Sequence, residues 1–162
     1  MTLATFRLSG QDFRLRRAAA ADVGPIVELM AADDLRKDVD SADPGRRGAY
    51  LEAFERIDAD PAQLLAVVTD EQDRVVATMQ LTVIPGLARA GATRLQLEAV
   101  RVDSRLRSNG LGSAMMAWAV EEGRRRGASM VQLTSDKSRD AAHRFYERLG
   151  FTPSHVGFKL FL

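Results

Sequence analysis

Cysteine is absent from the 162 residues, histidine occurs twice and tryptophan once. Without a thiol there is no disulfide, no thiolate zinc site and no cysteine nucleophile. His143 and His155 are too few for a histidine-rich metal centre, and no His-Glu-x-x-His occurs. Net charge is nearly lacking too: 23 Lys+Arg against 22 Asp+Glu leave +1. That balance argues against a general nucleic-acid binder, which needs a basic surface to neutralise phosphates. No apolar run approaches the roughly 18 residues of a membrane span. Residues 1–10 carry one Arg and no long apolar stretch, so a signal peptide is not expected. These absences set the expectation of a cytoplasmic protein that holds no metal and works neither on nucleic acid nor in a membrane.

Hydrophobic residues make up 46% and charged residues 28%, enough apolar surface for a core. With no repeat, low-complexity run or long linker, one domain over 1–162 is expected.

Periodicity alternates between two and 3.6 along the chain. Residues 13–16 read as a short strand. Asp22 offers an N-cap, followed by Val23, Ile26, Val27 and Met30 at helical spacing. Asp43-Pro44 opens a second helix carrying Tyr50, Phe54 and Ile57, and Asp60-Pro61 closes it. Residues 64–69 and 75–83 read as a hairpin around the polar turn 70–73. A strand over 93–103 follows, then a helix over 110–126 ended by Gly127. A strand over 129–134 and a helix capped by Ser138 come next, the helix carrying Ala142, Phe145, Tyr146 and Leu149 up to Gly150. Alternating Val156, Phe158, Leu160 and Leu162 predict a last strand. The order β-α-α-β-β-β-α-β-α-β is an α/β (α+β) chain with an antiparallel first half.

The strand over 93–103 is irregular. Leu95 and Leu97 are apolar at odd positions, Val100 and Val102 at even ones. Side chains alternate with period two, so one continuous strand cannot put both sets on one face. An extra residue near Glu98-Ala99, a β-bulge, repairs the register. The alternative is a strand buried on both faces, where parity carries no message.

The segment Arg105-Leu106-Arg107-Ser108-Asn109-Gly110-Leu111-Gly112-Ser113 lies between that strand and the next helix. A helix N-terminus offers unpaired N–H groups and the positive end of the dipole. Gly110 and Gly112 remove Cβ atoms that would hold a phosphate away, and Arg107 adds a forked donor. The plain alternative is a turn with solubilising arginines. Neither Gly-x-x-x-x-Gly-Lys-Ser/Thr nor Gly-x-Gly-x-x-Gly is present, since position 115 is Met. Nucleotide hydrolases and dinucleotide dehydrogenases lose support accordingly.

Arg107 to Gly112 resembles the Gln/Arg-x-x-Gly-x-Gly/Ala signature of the GNAT superfamily of N-acetyltransferases. Asp140 to Phe151, with Phe145-Tyr146 followed by Leu149-Gly150-Phe151, is similar to that family's second motif. A helix and a strand separate the two motifs, as in the family. The resemblance implies a mixed, mostly antiparallel twisted sheet flanked by helices, with a bulged and splayed central strand. It further implies acetyl-CoA as co-substrate, its pantetheine arm paired with the backbone of Val100, Arg101 and Val102. The pyrophosphate would meet Arg107, Ser108, Asn109, Gly110, Leu111, Gly112 and Ser113. Arg139 stands where many members carry an Asn that contacts the cofactor arm; this long cation would approach a CoA phosphate instead. A homodimer is also common in the family.

Glu98, at the register break, is either an ordinary surface carboxylate or the acceptor of the amine's proton. A lysine-like amine of pKa about 10.4 loses that proton at pH 7 at a cost of roughly 4.6 kcal/mol, so a base or water relay is useful. Tyr146 is either a core aromatic or, as the resemblance implies, the donor to the departing CoA sulfur. Asp33, Asp34, Glu52 and Asp58 would attract a cationic acceptor, Arg89 and Arg94 an acidic one. The expected activity is therefore direct acetyl transfer from acetyl-CoA to a primary amine of a small molecule or peptide, the acceptor left open. The alternative is a non-catalytic acyl-CoA-binding or regulatory domain of the same fold.

Overall fold

A computed structural model of the chain describes residues 1–33, 40 and 43–162. These form two compact units, Met1–Gln132 and Leu133–Leu162.

The chain starts with a hairpin that the sequence reading entered only at Phe13. Strand β1 (Thr2–Leu8) runs antiparallel to β2 (Gln11–Arg17), with Phe6 opposite Phe13. Ser9 and Gly10 close it with φ of 50° and 82°. Two left-handed residues match the right-handed twist of the flanking strands, which makes this the favoured two-residue connection. Ala4, Phe6 and Leu8, half-buried beside exposed Thr5 and Arg7, carry the same period-two signal as β2.

Helix α1 (Val23–Ala31) and helix α2 (Arg47–Ala59) follow. Asp22 precedes α1 but does not cap it through its side chain. Its buried carboxylate instead accepts the Ala19 N–H at 2.7 Å and two bonds from the Arg16 guanidinium, at 2.6 and 2.9 Å. Burial pushes this carboxyl up, yet the Arg16 bonds and the Ala19 amide outweigh it and hold the pKa below the usual carboxylate range.

Strand β3 (Gln63–Thr69) and strand β4 (Val75–Ile84) form the expected hairpin. β3 is buried from Leu64 to Thr69 and β4 from Val76 to Met79, so the middle of the sheet is covered on both faces. On one side Leu65 and Val67 pack with Ile26, Val27 and Phe54. A four-residue turn, α3 (Ala88–Gly91), then leads to β5 (Arg94–Val102). On the other side lies α4 (Leu111–Arg125), with Leu111, Met115, Met116 and Ala119 buried. Helix α4 passes close to β5: a Cβ on Gly123 would lie 3.2 Å from Leu95 Cδ2. Strand β6 (Met130–Leu133) completes a six-stranded sheet ordered β1-β2-β3-β4-β5-β6. The fold is thus mixed α/β, a mostly antiparallel sheet with flanking helices.

In the second unit, α5 (Asp140–Arg148) ends at Gly150, whose φ is 89°. Ser138 does not cap it: Arg139 holds the cap position, and the Ser138 hydroxyl and N–H both donate to Asp136 Oδ1. The strand expected at 156–162 is not formed. Phe158 is 93% exposed and Leu160 87%, and residues 151–162 have no regular structure. Alternation specifies a strand only where a neighbour supplies ladder partners for its N–H and C=O groups.

Candidate functional site

The register of β5 breaks where the parity changes. Gln80 of β4 lies opposite Glu98, but Thr78 lies opposite Arg101. Two residues on β4 therefore span three on β5, the geometry of a bulge. Ala99 takes up the extra length with φ of 49°, a left-handed value unusual for a residue with a Cβ. Pairing resumes with Arg101 opposite Thr78 and continues with Val102 opposite Ala77. Glu98 is exposed beside the break. The Arg101 side chain turns to Asp33, just past α1, at 3.1 Å, and donates to the Val100 carbonyl at 2.8 Å.

On its other edge β5 meets β6 only early. Ser129 N–H donates to the Thr93 carbonyl at 2.9 Å, and Gln132 Nε2 bonds Gln96 Oε1 at 3.1 Å. Both pairs are 36 residues apart, so the two strands run parallel and β6 ends about level with Leu97. The β6-facing edge of 98–102 thus extends past the end of that strand.

Past β5 the chain enters the glycine-bearing turn. Asp103 N–H donates to the Val76 carbonyl at 2.8 Å. The Asp103 carboxylate accepts the Arg105 N–H at 2.9 Å and its guanidinium at 2.6 Å. The Arg105 side chain, with help from its backbone amide, holds the Asp103 pKa down to about 2 against the effect of burial. Arg105 is thus committed to the turn. The Arg107 side chain is exposed, with no hydrogen bond or ion pair among the described residues.

Ser108 and Gly110 both adopt left-handed φ, 68° and 91°. Asn109 does more than line the turn, because its Oδ1 accepts the Leu111 N–H, the first of α4, at 2.9 Å, while Gly110 holds the cap position. The N–H groups of Gly112 and Ser113 lie in the first turn of α4, where helix geometry provides no intrahelical acceptor. These amides, the adjacent Arg107 and the dipole of a 15-residue helix fit an anionic phosphate group.

The Asp103–Arg105 clip and the Asn109 bond to the first N–H of α4 were missed as such in the sequence. The spacing Asp-x-Arg at a strand end, and Asn two residues before a helix residue, were the available signals. Of the acids named as attractors, Asp33 is tied to Arg101 and Asp58 to Arg17 at 2.9 Å. Glu52 is exposed, and Asp34 lies outside the described residues.

In the second unit, Tyr146 meets Phe145 and Phe151 edge-on, with ring centroids 5.2 and 5.9 Å apart. The Phe151 N–H returns to the Tyr146 carbonyl at 3.1 Å, fixing the aromatic cluster at the helix end. Arg139 is half-buried at the start of α5, and His143 Nε2 lies 2.8 Å from the Asp136 carbonyl. Among the described residues no group of three or more His, Cys, Asp and Glu is arranged to hold a metal ion. No described helix is long and apolar enough to cross a membrane.

The chain belongs to the acetyltransferase (GNAT) family, whose model matches residues 30–151. It is similar to the aminoalkylphosphonate N-acetyltransferase of Salmonella typhimurium, 43% identical over 53 residues. That match spans only 33% of this chain and 34% of the enzyme. A crystal structure of a transcriptional regulator from Bacillus halodurans has TM-score 0.88 and 35% identity, covering 93% of this chain and 99% of that one. A predicted acetyltransferase of Clostridium acetobutylicum, solved with acetyl-CoA, shares the fold at TM-score 0.72 and 16% identity, covering 91% and 95% of the two chains.

Proposed function

We propose that the chain works as one catalytic domain over 1–162, transferring acetyl from acetyl-CoA to a primary amine of a small molecule or peptide. The observation that carries this reading is the bulge at Ala99, with Glu98 before it and the amide-bearing turn of α4 a few residues after it. In the proposed reaction the pyrophosphate sits on the amides between Arg107 and Ser113, with the Arg107 guanidinium beside it. The pantetheine arm lies along Val100, Arg101 and Val102 as an added strand. Glu98, directly or through water, takes a proton from the amine, whose nitrogen then attacks the acetyl carbonyl. The C–S bond breaks and its electron pair leaves with sulfur as a thiolate, to which the Tyr146 hydroxyl donates a hydrogen bond; the proton that the attacking nitrogen then loses ends on sulfur, and Glu98 returns its own proton to solvent. Products are the amide and CoA, with no metal and no covalent enzyme intermediate. Arg139 contributes charge toward a CoA phosphate. The cytoplasm, where acetyl-CoA is made and used, is the proposed location, and a homodimer the proposed assembly.

A second reading, acyl-CoA binding without turnover in a regulatory role, draws on the name of the Bacillus halodurans relative. A CoA-release assay with acetyl-CoA and a panel of primary amines separates the two. Amine-dependent release that Arg107→Ala suppresses supports the enzyme; acetyl-CoA binding with no release for any amine supports the regulator.

A further inference from the structure

Leu95 and Leu97 are buried, and Leu95 faces α4 across Gly123. By alternation Arg94, Gln96 and Glu98 occupy the opposite face of β5. Their partners on β4 are Ile84, Thr82 and Gln80, and Thr82 is in turn opposite Gln63 on β3. Gln63 shares a face with Leu65 and Val67, the residues covered by α1 and α2. That face is therefore apolar beneath the helices and polar beyond them, beside Glu98.

The polar part is built of amides and a hydroxyl, with the Asp60 carboxylate at its β3 edge accepting from Gln63 Nε2 at 3.4 Å. Gln80 Nε2 donates to Gln63 Oε1 at 2.7 Å, and Gln132 Nε2 donates to Gln96 Oε1 at 3.1 Å. Gln63, Thr82 and Gln96 form one lateral row across three strands, with Gln132 extending it onto β6. This row is one alternation from Glu98, about 7 Å along the strand, and Arg94 one more, about 13 Å. Half-buried Arg94 has no hydrogen-bond or carboxylate partner among the described residues, and its Nε is fully covered. An unpaired guanidinium on a half-buried arginine favours an anion, above all one that it meets as a fork. Among the described residues a second cation would find Asp60 at the β3 edge, its two oxygens already accepting from the Ala62 N–H and Gln63 Nε2, then amides and a hydroxyl along the row and Arg94 beyond it.

We infer that this face recognises the acceptor, and that the acceptor is a small hydroxylated primary amine carrying one anionic group, not a polyamine. The inference rests on the acetyltransferase reading above. With its amine at Glu98, the acceptor sets hydroxyls on the Gln63–Thr82–Gln96 row and its anion toward Arg94. Beyond the bonds they already make, Thr82 Oγ1 to Gln63 Oε1 at 3.5 Å and Gln96 Nε2 to the Leu97 carbonyl at 3.4 Å among them, the amides keep N–H and lone-pair sites that suit hydroxyl groups.

The test compares kcat/KM for glucosamine 6-phosphate, glucosamine and spermidine as probes. The phosphorylated amine is expected to exceed the unphosphorylated one by about tenfold or more, with spermidine poorest, as a lost charge-assisted contact implies. Arg94→Gln should collapse the preference for the phosphorylated probe, Arg94→Lys should keep part of it, and Gln96→Leu should raise KM for both hydroxylated probes. Preference for spermidine, or a phosphate preference untouched in a folded Arg94→Gln chain, overturns the inference and leaves acetyl transfer standing. Turnover of none of the three by a chain that acetylates another amine also overturns it. Absence of any acetyl-CoA binding would instead remove the reading on which it rests.

Discussion

Glu98 and Gln80 face one another across the β4–β5 ladder at the last regular pair before β5 gains its extra residue. That position gives Glu98 its exposure: the strand bends away at Ala99, whose left-handed φ accommodates the additional length. Ala99→Val should therefore lower stability to denaturant by about 1 kcal/mol or more, because a β-branched side chain fits poorly at positive φ, while Ala99→Gly should not. Equal midpoints for the two variants would show that the bulge carries no such constraint.

Two arginines of one turn should behave differently. Arg107→Ala should weaken acetyl-CoA binding by about 1–3 kcal/mol in calorimetry, as expected for a lost charged hydrogen bond. Arg105→Ala should weaken it less, because that guanidinium is held by Asp103. Unchanged affinity in a folded Arg107→Ala chain would move the pyrophosphate elsewhere.

Glu98→Gln keeps the shape and removes the base. Acetyl-CoA affinity should stay as it is while turnover falls by about 10²–10⁴-fold, most at low pH where the amine is more fully protonated. A wild-type rate across the pH range would assign the proton to water or to another group.

Tyr146→Phe retains the ring that packs on Phe145 and Phe151 and deletes only the hydroxyl. Single-turnover acetyl transfer should slow about tenfold or more, some 1.4 kcal/mol of transition-state stabilisation, with little change in melting temperature. A purely packing tyrosine would leave single-turnover chemistry untouched.

Asp103 supplies a pH signature. Its folded-state pKa, about 2, lies below the ordinary 3.8. A depressed carboxyl stabilises the fold at pH values above its unfolded pKa and loses that contribution as pH falls through the folded one. Between about pH 4 and pH 2 the wild type should therefore lose stability more steeply than Asp103→Asn. The two denaturation curves should draw together toward pH 2, and parallel curves would show that the Arg105 clip adds nothing to folding.

Local pattern was sufficient for much of this protein. The switch from odd to even apolar positions between Leu97 and Val100 located the bulge, because alternation is a property of the backbone and survives without neighbours. Gly127 and Gly150 marked helix ends for the same reason: both adopt the positive φ that glycine tolerates best. The Arg107–Gly112 motif lies at the start of α4, where sequence order alone put it.

Other features depended on groups that meet only in the fold. Asp22 had the sequence of a helix cap, but the Arg16 guanidinium on the strand before it meets both its carboxylate oxygens, a forked pair of opposite charges. Residues 156–162 had the alternation of a strand, yet they pair with no strand among the described residues and form none themselves. The uncharged row of Gln63, Thr82 and Gln96 was invisible in a linear reading, since its members come from three strands and only the register between those strands sets them side by side. Alternation decides which face a residue takes; pairing across the sheet decides which residues share it, and that depends on contacts no single segment contains.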